Sequence, residues 1–281
     1  MYKELVAQSY FFVDIQELEL IKWATAMPMR YFLFGAITLA GMTFASPEAK
    51  ANDMGESVQY FGSYILYHWS KDPNLSKFNP PQIVTNIGSD TKVIGGCKSK
   101  HDGKIAQDIG GTSYCPTTNT IFVVQDELEP FYDFMGPSAI AYVMAHEYGH
   151  YIQKIYETKY TQPVSELQAD CLAGAILGQG ANDLGITATD AIRMSELAYK
   201  IGSTSHGTGS QRAYAVYAGF GKSPEISCEL ADMEKLSRDQ INDPIFHKYR
   251  SPDRSVKDSI DLDAQPQSHL RTISESLLGG V

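Results

Sequence analysis

The chain lacks an apolar run long enough to span a bilayer. Its most continuous one, YFLFGAITLAGMTFA (Tyr31–Ala45), stops after 15 residues, whereas a spanning helix needs about 20. It also lacks a Lys/Arg stripe. With 23 Lys and Arg against 33 Asp and Glu, the formal net charge is -10 and the pI about 5.1. Such a surface repels phosphate backbones, so nucleic acid is not expected as a partner. No CxxC pair occurs, which removes support for a cysteine zinc ribbon. Internal repeats, heptad arrays and low-complexity tracts are missing too. What remains is a chain of 281 residues, 43% of them hydrophobic, enough to bury a sizeable core in one or two domains.

The short apolar run is preceded by Arg30 and followed by SPEAKAND, with a small-x-small site at Ala49-Lys50-Ala51 where a signal peptidase would cut before Asn52. Residues 1–51 therefore read as an N-terminal extension and signal peptide with its apolar region at 31–45. The first 28 residues do not suit that role, because Glu4, Asp14, Glu17 and Glu19 outweigh Lys3 and Lys22; translation starting at Met27 or Met29 would resolve this. An exported protein is expected, periplasmic or secreted, which meets the membrane only if the segment stays uncleaved and anchors it. The alternative is that residues 1–45 form a buried helical segment of a cytoplasmic protein.

The cysteines agree with export, being even in number: Cys97, Cys115, Cys171 and Cys228. Three pairings are open. Cys97 with Cys115 would constrain a Gly- and Ser-rich loop, leaving Cys171 with Cys228; four reduced, small hydrophobes are the other reading.

Residues 52–89 read as an N-terminal helix followed by a Pro-bearing linker. TIFVVQ (Thr120–Gln125) is β-branched and bounded by PTTN and DELE, so it reads as a strand. Gly136-Pro137-Ser138 opens a helix on which Ile140, Val143, Met144 and Tyr151 recur at helical spacing.

That helix contains AYVMAHEYGHYIQ (Ala141–Gln153). Residues four apart lie one turn above each other, so His146 and His150 project to one side and can bind one zinc ion. Glu147 is rotated by about 100° from His146 and flanks the metal without ligating it. This is the H-E-x-x-H arrangement, in which the glutamate takes a proton from a metal-activated water and passes it to the leaving amine. Chance alone would supply H-[Asp/Glu]-x-x-H about 0.02 times in this composition, so the rest of the chain must decide. A catalytic zinc needs a third protein ligand and an open position. In the next helical segment, PVSELQADCLAGAILGQG, Glu166 and Asp170 are four apart. Glu166 is expected as the third ligand, and Asp170 as acceptor of a ligand histidine's second ring N–H. Alternatively, Glu166 is a first-turn carboxylate stabilising the helix dipole. Tyr148, inside the motif, reads as a core residue.

Taken together, AYVMAHEYGHYIQ, ELQADCLAGAI, TSYCPTTNTIFVV and SHGTGSQRAYAVYAGF resemble segments of the predicted neutral zinc metallopeptidases of bacteria, whose helices read AYVIAHEVGHHVQ and ELQADCFAGVW. The likeness covers roughly residues 90–230. It implies zinc held by His146, His150 and Glu166, Glu147 as base, and an extracytoplasmic catalytic domain. Members of that family usually begin with a membrane anchor, and residues 231–281 match nothing in its pattern.

His206 and Arg212, in STSHGTGSQR, have two readings: oxyanion stabilisers for the attacked carbonyl, or parts of a helix-capping loop. Thr187–Asp190 reads as a turn and cap before the helix AIRMSELAYK. Residues 231–281 read as a helix passing into a weakly ordered tail. The expected fold is α+β: a mainly helical, zincin-like metallopeptidase domain at 90–230 with a small β-sheet whose edge can hold an extended peptide. The expected function is an extracytoplasmic zinc peptidase, most simply an endopeptidase, with one zinc per chain and a peptide or protein substrate. A zinc-bearing regulatory or binding protein of the cell envelope, without turnover, is the alternative. A purely structural zinc module is disfavoured, because a closed site wants four protein ligands.

Overall fold

Residues 53–87, 111–159 and 161–251 are described in a computed structural model. The expected signal segment, Cys97 and residues 252–281 lie outside them. The described residues are mainly helical with one three-stranded sheet, in line with the α+β class. None of their helices is long and apolar enough to cross a membrane.

Asp53 caps the first helix by accepting the Glu56 amide at 2.7 Å. This helix, α1 (Met54–Lys71), buries Val58, Phe61, Ile65 and Trp69 at helical spacing. The chain then enters a mixed three-stranded sheet. β1 (Gln82–Ile87) pairs with β3 (Thr120–Val124), and β2 (Ser113–Cys115) runs antiparallel on the other side of β3, giving the order β1-β3-β2. β3 is buried at every position, as a central strand covered on both faces should be. The linker expected before residue 90 therefore contains a strand, and a domain boundary at 90 would cut the sheet. β1 escaped notice because it is an edge strand beside Pro80 and Pro81, with Val84 exposed. The acidic DELE after β3 lies in the first turns of α2 (Gln125–Met135), which follows the strand directly. Asp126 and Glu127 sit in its first turn, where carboxylates favour the helix dipole.

Two helices build the centre. α3 (Pro137–Ile155) starts with Pro137 in its first turn and buries Ile140, Met144 and Tyr151, with Val143 half-buried. α4 (Val164–Gln179) is apolar almost all round. They approach closely at Gly149, where an added Cβ would lie 2.9 Å from the Cα and carbonyl oxygen of Ala169. Glycine within the histidine motif thus brings α4, and Glu166 with it, against the two imidazoles. The chain continues through a helical turn, α5 (Ala181–Leu184), and α6 (Ala188–Lys200), whose Thr187 and Asp190 form the expected capping box. α7 (Gly209–Gly219) packs on both α4 and α6. Its Gly219 passes so near Cys171 that a Cβ there would sit 1.9 Å from the Cys171 carbonyl oxygen.

Cys171 and Cys228 are disulfide-bonded, closing a loop with a sequence separation of 57, worth about 4 kcal/mol in the chain-entropy account. Cys115 is disulfide-bonded as well; its expected partner, Cys97, is not among the described residues.

The segment after Glu229 begins with the expected helix, α8 (Leu230–Ser237), and goes on to a second, α9 (Pro244–Arg250), with Met233, Leu236, Phe246 and Tyr249 all buried to within 1%. Its helices are too short for a long apolar period, so single large side chains do the anchoring: Phe246 packs its ring, tilted, against that of Tyr214 of α7 with centroids 5.2 Å apart. Phe246→Ala should accordingly cost about 3–5 kcal/mol of unfolding free energy. A denaturant titration giving the parent's midpoint would show that these helices lie outside the cooperative core.

Candidate metal centre

Within α3, His146 and His150 face the same way, one turn apart, with their Nε2 atoms at 3.1 Å. Glu166, from the first turn of α4, places Oε2 at 3.5 Å from each Nε2. The three ligand atoms lie within 4.8 Å of one another and could hold a metal ion. A tetrahedral ion with bonds of about 2.0–2.1 Å requires ligand atoms about 3.3–3.4 Å apart, close to these spacings. Glu166 is indeed a first-turn carboxylate, and it faces the histidines too, so the two readings of it are compatible. Its Oε1 accepts from Gln162 Nε2 at 3.3 Å.

The hydrogen-bond partners set which ring atoms face the centre of the cluster. His146 Nδ1 meets Asp170 Oδ1 at 2.8 Å, and His150 Nδ1 meets Gln153 Oε1 at 3.0 Å. Both partners are acceptors, so both Nδ1 atoms carry the hydrogen and both Nε2 atoms present lone pairs. Two lone pairs and a carboxylate oxygen converging in a buried space repel each other unless a cation or proton sits among them. The electrostatics agree. Burial disfavours a charged His146, yet the Asp170 carboxylate outweighs it and pushes its pKa up to about 10. Burial works against the charge on His150 as well, but Glu166 raises it on balance. Glu166 would be raised by burial, and the two imidazoles instead hold it well below the usual carboxylate range. A place that favours a proton this strongly favours a divalent cation for the same reason.

Asp170 has the orienting position expected of it. Its carboxylate also accepts from Tyr142 Oη, from Arg212 Nε at 2.7 Å and from Arg212 Nη2 at 2.9 Å. Burial would raise its pKa, but Arg212 and His146 lower it to about 2. Arg212 also donates to Tyr142 Oη and to the Ile201 carbonyl. This arginine is buried, with Nε and Nη2 turned to Asp170, so it reaches the cluster through Asp170 rather than by facing a substrate oxygen. His206 is not one of the three converging groups; its Nδ1 meets Ser203 and Ser205 at 3.0 and 2.9 Å in the turn before α7. Thr208 caps that helix, in a capping box with Gln211.

Glu147 is buried and stands apart from the three converging groups, though close enough to feel the charges of His146, His150 and Glu166. Its Oε2 accepts the Tyr114 backbone N–H of β2 at 2.6 Å. Burial pushes its pKa up, and the histidines and that N–H offset the rise in part. Tyr148 is core: fully buried, with its ring 6.5 Å from those of Trp69 and Tyr151.

Sequence reasoning missed Tyr142, Gln153, Gln162, Gln168 and the Tyr114 amide. Only Tyr142 and Gln153 left a trace, lying four residues before His146 and three after His150 on the same helix face.

Two curated proteins are similar to the chain, both named Uncharacterized protein YpfJ, from Escherichia coli (strain K12) and Escherichia coli O6:H1. Each is 29% identical over 157 residues, covering 43% of this chain and 54% of the relative. The chain thus spans about half the length of the curated relatives it matches. No family model and no solved structure matches it.

Proposed function

We propose that this protein is an extracytoplasmic zinc-dependent peptidase of zincin-like fold, related to the predicted neutral zinc metallopeptidases of bacteria. The observation that carries the reading is the pairing of a three-ligand cluster with an adjacent carboxylate, Glu147, that is not one of the three. A closed structural site would use a fourth protein ligand, whereas three ligands plus a neighbouring base suit hydrolysis.

His146, His150 and Glu166 would hold the zinc. When bound, zinc supplies Lewis-acid polarisation and lets a water be deprotonated at neutral pH. Glu147 accepts that proton on its other oxygen, Oε1, and returns it to the departing amine. Burial raises its basicity towards the range where a general base works at neutral pH. Tyr114 donates its N–H to Glu147 rather than to β3, so this N–H lies on the open edge of β2, the sheet edge beside α3. An extended peptide added along that edge would run past Glu147. The Cys171–Cys228 disulfide supports an oxidising, extracytoplasmic compartment.

The deciding experiment is metal analysis of purified protein coupled to a general casein assay. About one zinc per chain and hydrolysis abolished by a chelator are expected, with zinc content lost in His146→Ala. Full zinc content in His146→Ala after dialysis would remove the ligand assignment. Zinc-loaded wild type without any hydrolysis would favour the regulatory or binding protein.

A further inference from the structure

For His150 to offer Nε2 to a cation, its hydrogen must sit on Nδ1, and the partner of that atom is a glutamine amide. An amide is ambiguous: turned over, Gln153 would present NH2 and drive the hydrogen onto Nε2, blocking coordination. Gln153 Nε2, however, donates to the Ser165 carbonyl at 2.6 Å and to Gln168 Oε1 at 3.1 Å. Gln168 is fully buried and donates its own Nε2 to the Cys228 carbonyl at 3.0 Å. A backbone carbonyl can only accept. The direction of every bond from Cys228 to His150 is therefore fixed, because reversing either amide would set donor against donor and oxygen against oxygen in the interior. The terminal carbonyl is itself held in place, since Cys228 is disulfide-bonded to Cys171, one turn along α4 from Gln168.

We infer that Gln153 and Gln168 are positioning residues for His150: a buried amide relay, anchored on the Cys228 carbonyl, that determines which ring nitrogen faces the metal. His146 has its own arrangement for the same purpose, a carboxylate held by an arginine. The relay rests on the reading of His146, His150 and Glu166 as a metal site.

The test is zinc affinity measured by chelator competition, alongside the melting temperature of the metal-free protein. Gln168→Leu touches no ligand, yet it should weaken zinc binding by about 10 to 100-fold. Val58→Ala, a core truncation in α1, a helix that carries neither a candidate ligand nor a relay residue, serves as a destabilised control and should melt earlier with unchanged zinc affinity. If Gln168→Leu does not fold, Gln153→Leu carries the same comparison with the same expected loss. A variant that melts earlier but binds zinc as tightly as wild type would make the glutamines merely structural and overturn the relay. Wild type that binds no zinc would instead remove the metal reading beneath it.

Discussion

Glu147→Gln should keep the protein folded and its zinc bound while casein hydrolysis falls by about 10² to 10⁴-fold or more. The glutamine preserves shape, and its amide oxygen can still accept the Tyr114 N–H now received at 2.6 Å. What disappears is the carboxylate able to take and return a proton. Since Glu147 stands outside the ligand cluster, zinc content by metal analysis should match wild type. Loss of zinc with activity retained per bound metal would make Glu147 a ligand or a structural carboxylate, and the assignment of roles would fail.

Arg212→Met should destabilise the fold by about 3–5 kcal/mol, the cost of leaving a buried charge without its partner. Asp170 would keep Tyr142 and His146 but lose both guanidinium contacts, at 2.7 and 2.9 Å. Its carboxyl, now held at about 2, would rise, and a protonated Asp170 orients His146 poorly. Zinc retention should fall with stability, the reverse of the Glu147→Gln pattern. The pH dependence follows from the same shift. A carboxyl lowered in the folded state contributes stability that is complete above its unfolded value, near 3.9, and is lost as pH falls towards about 2. Wild type should lose this contribution in acid, and Arg212→Met should show a shallower decline over that window. Denaturation curves at neutral pH that coincide for the two proteins would show that the pair contributes little.

The ligand set was legible because helical geometry links it to spacing. His146 and His150, and Glu166 and Asp170, are each four apart, so sequence alone puts each pair on one face. β3 was legible as a uniformly apolar run, and the cap at Thr187 by its acidic partner three residues on. What was not legible depends on contacts between distant segments. Arg212 meets Asp170 across 42 residues, and Gln168 meets Cys228 across 60; neither bond leaves a period in the sequence. Arg212 looked like a candidate for substrate contact because charge in a Gly-rich loop suggests exposure, whereas it lies in the first turn of a helix, where it and Gln211 are buried. β1 and α9 were hidden for a related reason: each is short, and each owes its order to a neighbour rather than to its own pattern.

Chain order gives the α3–α4 pair a meaning for biosynthesis. All three candidate ligands lie between His146 and Glu166, so they exist as soon as α4 has been made. Arg212 and Cys228, which would fix the imidazoles through Asp170 and Gln168, are synthesised later. An unfinished chain therefore contains the candidate ligands before it contains the groups that hold their rings in place. Firm retention of an ion would belong to the completed protein.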